Sequence, residues 1–368
     1  MKQTPFYKYA RDHGAKFVDF AGWEMPLSYG SILEEHHQTR NSGGLFDVSH
    51  MGRIHISGRH ARKFLEHVLT RRVSDMAENT CRYALICNEQ GGVKDDVLIY
   101  RFDDHWMLVV NASNRAKVME HFAQVQGDYV VKFDDRTTST AMLAIQGPKV
   151  MDVVGRFSKE VPTLKRYGFC IKNLMILKLI ISRTGYTGEN GIEIILGANM
   201  ANMAMKLLLK DADAKDAVVK PAGLGARDTL RIEAAMPLYG HELDEDIDPL
   251  TAGLKFAVDL DKDEQPNTPT FIGQAALKQI HADGPAQKRI GLAFEGKRSP
   301  RQGMAILCDG QPVGQVTSGC LSPTLGHPIA MAYVRSDVAS SDAALTLDMG
   351  SSQLQATRTA LPFYRAKA

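Results

Sequence analysis

Apolar and polar positions alternate with a period of two over much of this 368-residue chain, and helical stripes interrupt the alternation at intervals. Successive strand side chains point to opposite faces, so alternation marks half-buried strands, whereas apolar residues spaced i, i+3, i+4, i+7 mark helices. Gly52 to Ile56 reads as a strand. Arg59 to Leu69 reads as an amphipathic helix with Ala61, Phe64, Leu65, Val68 and Leu69 on one stripe. Tyr83 to Cys87 and Val93 to Arg101 are the arms of a hairpin, turned by Asn88 to Gly92, where glycines take φ > 0 without a Cβ clash. Trp106 to Asn111 is another strand. The helix after it, capped by Ser113 or Asn114, buries Val118, Met119 and Phe122, and Tyr129 to Phe133 returns as a strand. This order implies an α+β lobe, an antiparallel sheet with helices on one face.

The order then repeats loosely. Ala141 to Ile145 is a strand stopped by Gln146-Gly147-Pro148, a helix runs from Pro148, Leu174 to Arg183 is read as one buried strand, and Ile192 to Leu196 pairs back. Asn199 to Leu209 is a Met/Leu-rich helix whose methionines sit at packing positions. Asp283-Gly284-Pro285 punctuates the chain, and beyond it the texture changes. Short apolar runs at Ile290 to Phe294, Met304 to Cys308, Gln315 to Thr317 and Ile329 to Val334 have the spacing of a small antiparallel barrel or sandwich, so a domain boundary falls near residue 283.

Composition narrows the classes. With 44% hydrophobic and 23% charged residues the chain can bury the cores of two or three domains, and a net charge of +2 offers no polybasic footprint for nucleic acid. No apolar run approaches the ~20 residues of a membrane span. The first residues lack a signal or transit pattern, which predicts a cytoplasmic protein. Five scattered cysteines, none spaced Cys-x-x-Cys, argue against a disulfide frame or structural zinc.

Candidate chemistry concentrates in three stretches. In the hairpin, parity puts Asp96 with Leu98 and Tyr100 on one face and Asp95 with Val97 and Ile99 on the other. At least one acid therefore meets an apolar wall and needs donors, or a ligand that supplies them. Arg183 to Glu193 holds three glycines and a tyrosine read as exposed, with Glu193 starting a strand. In Pro221 to Asp228 the Gly-x-Gly resembles half a dinucleotide fingerprint, but the third glycine's place is Asp228 and a proline precedes the motif where a strand should feed in. Elsewhere the bland readings win. Glu34 to His37 is a polar helix face without an i, i+4 histidine pair, and Asp47, Ser49 and His50 diverge on an extended segment rather than forming a triad. His241 to Asp248, with five acids, reads as a solvated loop.

Taken together these stretches resemble the aminomethyltransferase, or T-protein, family of the glycine cleavage system. So do Phe20-Ala21-Gly22-Trp23-Glu24-Met25-Pro26, Phe46 to Met51, Met236 to Glu242, Thr317-Ser318-Gly319 and Ser322 to Gly326, in the family's order along nearly the whole chain. The resemblance implies a multi-subdomain α+β ring around a central opening. It has two intertwined antiparallel-sheet lobes, roughly residues 1–50 plus 138–283 and 51–137, and a C-terminal small β-barrel at 284–368. It implies that tetrahydrofolate accepts a methylene carbon from an aminomethyl group on a lipoylated H-protein, with ammonia released, and it involves no metal. Carried over by residue, it makes Asp96 catalytic and Glu193 an acceptor for the pterin amino edge. Tyr83, Tyr100 and Tyr186 line the ring site with Leu98 beside them, and Arg227 is the buried guanidinium. Met51, Asn111, Tyr364 and Arg365 complete the folate-binding candidates. Competing readings are another tetrahydrofolate-dependent demethylase or methyltransferase, and a non-catalytic folate-binding module. Against the latter, Cys320 sits in Ser-Gly-Cys-Leu-Ser rather than a Lys-Gly-Cys context.

Overall fold

The structure, a computed structural model, describes residues 1–366 apart from 175, 209–213, 215 and 265–267. Four sheets organise them. The five-stranded antiparallel sheet runs in the order Thr80–Cys87, Val93–Arg101, Trp106–Val110, Gly52–Ser57 and Lys132–Asp135. Helices Ala61–Val68 and Arg115–Val125 cover one face, and Phe64, Leu65, Val68, Val118 and Phe122 close its core with Ile54, Ile56, Ile99 and Leu108. Each such side chain stabilises the fold by about 1.5–3 kcal/mol relative to exposure.

The six-stranded sheet runs Phe169–Leu174, Leu177–Ser182, Gly191–Gly197, Thr140–Gln146, Gly43–Asp47 and Val219–Pro221, the last strand parallel to its neighbour. The stretch expected as one buried strand, Leu174 to Arg183, is instead divided: Leu174 ends one arm of a hairpin and Leu177–Ser182 is the other. Ile171 and Ile176 are exposed on it, because an edge hairpin has no layer to cover both faces. Leu209, expected to end the Met/Leu-rich helix, lies outside the described residues; Ala201–Leu208 is helical.

The two sheets meet through Phe46, Tyr100, Met107, Val109, Phe169 and Ile195, with Ala226 and Leu230 of helix Leu224–Glu233 closing the junction. That helix starts at Leu224, directly after Gly223. Its Gly-x-Gly serves packing rather than phosphate: a Cβ on Gly223 would lie 2.3 Å from the Leu27 carbonyl oxygen, and one on Gly225 2.4 Å from Ile32 Cδ1.

A third, three-stranded sheet forms from Lys2–Gln3, Trp23–Ser28 and Lys16–Phe20. The fourth is a closed barrel of Gln287–Phe294, Pro328–Arg335, Gln311–Leu321, Ala305–Cys308, Leu345–Asp348 and Gln353–Thr359. The acid-rich segment before it is not simply solvated. Glu242 is fully buried, accepting from Arg231 Nη1 at 2.9 Å and from the barrel's Thr317 hydroxyl at 2.6 Å. An unpaired carboxylate could not be buried there; one donor comes from the helix Leu224–Glu233 just upstream and the other from the barrel, 75 residues on.

Among the described residues no helix is long and apolar enough to cross a membrane, and no disulfide forms.

Candidate active site

The hairpin supplies the first wall of the site. Gly91 turns it at φ +88°, whereas Gly92 has no positive φ and is small because the Glu245 carbonyl packs against it. Along Val93–Arg101, Val93, Asp95, Val97 and Ile99 are buried, Val97 and Ile99 in the core under the helices, while Asp96 and Leu98 face a cavity of about 1070 Å³. Tyr83 pairs with Leu98 across the ladder and donates its hydroxyl to Asp96 Oδ2 at 3.1 Å.

The two adjacent acids are tied together by one amide. Asn111 Nδ2 lies 2.8 Å from Asp95 Oδ1 and 2.6 Å from Asp96 Oδ1, and the Asn111 backbone N–H donates to Asp95 Oδ2 at 3.1 Å. Asn114 Nδ2 adds a bond to Asp95 at 2.7 Å. Asn114, expected as a helix cap, thus spends its side chain on a buried acid, and helix Arg115–Val125 starts without a side-chain cap. Burial raises the proton affinity of both carboxyls, and the charge of Asp96 raises that of Asp95 further; the amide and hydroxyl donors pull the other way. The pair therefore holds a proton well above the ordinary carboxylate range, and that proton belongs to both residues.

The opposite wall comes from the six-stranded sheet and helix Leu224–Glu233. Glu193 is buried beside the cavity and accepts from the Thr184 hydroxyl at 2.5 Å. Burial raises its proton affinity, opposed by Thr184 and by the charge of Arg227. The Arg227 guanidinium lies 4.8 Å from the Tyr186 ring centroid, and its Nη1 is buried with no hydrogen-bond partner, a donor free for a ligand. Tyr186 is half-buried rather than exposed, its hydroxyl donating to the Pro237 carbonyl at 2.5 Å.

Of the eleven expected site residues, ten meet the cavity and one does not. Asp96, Tyr83, Leu98, Met51, Asn111, Tyr186, Glu193, Arg227, Tyr364 and Arg365 all line the cavity. Tyr100 does not. It is fully buried behind the wall, packed at 5.4 Å from the Phe169 ring, because the six-stranded sheet covers that end of the strand. Its hydroxyl instead heads a chain: Ser182 Oγ at 3.0 Å, Ser182 to Thr184 Oγ1 at 2.7 Å, and Thr184 to Glu193. Tyr364 stacks on Arg40 at 3.9 Å, and Arg365 is exposed at the rim.

Residues missed from the sequence also line the cavity. His50 is buried with Nδ1 unpaired, and burial, then the charges of Arg227 and Arg53, depress its proton affinity to about 3, so the imidazole is neutral. Arg53, fully buried, fixes the segment that carries His50 by donating to the Ser49 and Met51 carbonyls at 3.1 and 2.5 Å. Nothing in local spacing singled these out. Among the described residues no three His, Cys, Asp or Glu side chains gather into a metal-binding group.

Two large sheets with their helices and a closed barrel accompany a cavity lined by Asp96 and Glu193, and the family matches make the chain a group-transfer enzyme. The family model described as GCVT N-terminal domain matches residues 6–262, and the glycine cleavage T-protein C-terminal barrel domain matches 287–365. The chain belongs to this family, the aminomethyltransferases of the glycine cleavage system. An aminomethyltransferase of Rubrobacter xylanophilus is 42% identical over 368 residues, covering 100% of this chain and 95% of the relative. One of Geobacillus kaustophilus is 41% identical, with 99% of each covered. The crystal structure of glycine cleavage system aminomethyltransferase T from Bartonella henselae superposes with a TM-score of 0.90 at 30% identity, covering 100% of this chain and 99% of that one.

Proposed function

We propose that this aminomethyltransferase binds tetrahydrofolate in the cavity, its pteridine between the Asp96 and Glu193 walls, and receives the aminomethyl group from the dihydrolipoyl arm of an H-protein. The observation that carries this reading is the Asp95–Asn111–Asp96 pair. It is a proton-holding acid aimed into a cavity of about 1070 Å³, the size class of a folate site, with Glu193 and the unpaired Arg227 opposite.

In the reaction the two folate amine nitrogens each form a bond to the methylene carbon. The carbon–sulfur and carbon–nitrogen bonds of the donor break. The two amine protons end on the arm's sulfur and on the departing ammonia. Asp96 orients the amines and takes up and returns a proton, as its coupled, raised proton affinity suits. Glu193 accepts from the pteridine amino edge, and an acceptor built for that pairing rejects analogues lacking the N–H. Tyr83, Leu98, Met51 and Tyr186 offer flat or apolar contact for the ring system. Neutral His50 can offer or accept one hydrogen bond without placing a charge in the cavity.

The deciding experiment is tetrahydrofolate-dependent ammonia release from aminomethylated H-protein. Absence of release, with turnover of a free methylamine or sulfonium donor instead, would replace this reading with the related demethylase one.

A further inference from the structure

A second cavity, of about 380 Å³, shares no lining residue with the central one. It lies where the start of strand Gln287–Phe294, the end of strand Gln353–Thr359 and the short helix Ser336–Ala339 come together. The ladder between those two strands begins only at Gly291 and Thr359, so Arg289 and Ile290 have no cross-strand neighbour on that side. The Arg289 N–H turns instead to the Thr251 carbonyl at 3.2 Å.

Two half-buried guanidiniums, Arg289 and Arg358, border this space. Arg358 spends Nη2 on the Val338 and Ala343 carbonyls at 3.0 and 3.1 Å, while its Nη1 is buried with no hydrogen-bond partner. Arg289 Nη1 donates to the Ala235 carbonyl at 3.3 Å, and its Nε is likewise buried and unpartnered. No acid pairs with either among the described residues. Lys288 brings a third positive charge to the same helix, where its Nζ donates to the neutral Ser340 hydroxyl at 2.9 Å. The contrast with nearby arginines is sharp: Arg40 and Arg231 meet buried acids at 2.8 to 2.9 Å.

A buried donor left unmet costs free energy, and a cationic one costs more. Water can satisfy the N–H groups but leaves the charge uncompensated. Two such donors on one cavity are poor packing and a good receptor for negative charge, because guanidinium N–H groups match the oxygens of phosphate and carboxylate.

We propose that Arg289 and Arg358 form a binding site for a small oxyanion of the phosphate class, free or carried on a small ester, received by the buried Nε and Nη1. Arg289 also holds the Ala235 carbonyl, between the central-cavity residues Ala234 and Met236. The bound anion therefore stiffens the contact of barrel and lobe. The site stands whether or not the central cavity takes folate.

The test is titration calorimetry and thermal melting of the full-length protein with inorganic phosphate, glycerol 3-phosphate and acetate at a matched ionic strength of about 0.15 M. One saturable site should appear for at least one phosphate compound, and the tighter of the two identifies the source. At about ten times its Kd that compound should raise Tm by about 1–3 °C, and acetate should bind at least roughly tenfold more weakly. Arg358→Ala should weaken phosphate binding at least about tenfold, whereas Arg227→Met, in the central cavity, should leave it within about twofold. Ala339→Glu sets a carboxylate on the wall of the same cavity, so it should abolish phosphate binding and raise the ligand-free Tm. It decides the matter should Arg358→Ala fail to fold. No saturable binding, equal effects of acetate and phosphate, a loss caused by Arg227→Met rather than Arg358→Ala, or an Ala339→Glu protein that still binds phosphate would overturn the site.

Discussion

The side-chain amide of Asn111 stands 2.6 Å from Oδ1 of Asp96 and reaches Asp95 with the same nitrogen, so one residue just past the next strand bridges a buried acid and its half-buried neighbour. Its donor bonds favour the ionised forms. Asn111→Ala should therefore raise the proton affinity of the pair further, moving the acid limb of the kcat profile to higher pH and lowering turnover roughly 10- to 100-fold. A pH–rate profile on the mutant checks both the direction and the size.

Asp96→Asn keeps the shape and removes the proton exchange. Turnover should fall about 10²- to 10⁴-fold while the tetrahydrofolate Kd stays within a few-fold. Steady-state ammonia release and direct titration separate the two, and unchanged turnover would remove Asp96 from the chemistry.

Glu193→Ala should do the reverse. Losing an acceptor for a charged hydrogen bond weakens folate binding by roughly 10- to 100-fold, with a smaller effect on kcat at saturation. An unchanged titration would contradict its pairing role.

Tyr100→Phe discriminates a wall residue from a core one. Because its hydroxyl reaches Ser182 and not the cavity, the mutant should lose about 1 kcal/mol of stability and bind folate within about threefold of wild type. Urea melts and titration on the same preparation report both quantities.

Acid should loosen the junction of barrel and lobes. Burial pushes the Glu233 carboxyl up, but hydrogen bonding and charge from His36, the Ser322 hydroxyl and Arg40 outweigh it and hold it at about 2. A depressed carboxylate stabilises the fold fully above its ordinary value of 4.5, and that contribution is lost as pH falls through about 2. Glu233→Gln should accordingly cost about 3 kcal/mol at pH 7 and flatten the stability profile between pH 5 and 2. Denaturant melts across that range give the comparison.

Local pattern was enough where the physics is local. Parity on the Val93–Arg101 strand separated Asp96 from Asp95, and the structure gives the two acids opposite faces. Parity also grouped Tyr100 with Asp96, correctly as to face, but could not show that a second sheet seals that end of the strand. His36, which reads as part of a polar helix face, is fully buried, with Nε2 3.2 Å from Glu233 Oε2 and 2.9 Å from Thr324 Oγ1. Glu233 and Thr324 lie 197 and 288 positions from His36 in the chain, a separation no periodicity encodes. Glu242 reads as part of a solvated acidic loop, but the barrel's Thr317, 75 positions on, and Arg231 of the preceding helix fold over it and bury it. His50 escaped because its neighbours Asp47 and Ser49 invited a hydrolase comparison that the geometry does not support.

The Tyr364 amide donates to the Glu233 carbonyl, and the Ser322 and Thr324 hydroxyls reach that residue's carboxylate, so the barrel and the segment that follows it fasten one side of the cavity. During synthesis, the ring site stays unfinished until the barrel has left the ribosome and settled onto the lobes. A nascent or truncated chain can own every acid of the pocket and still be inert.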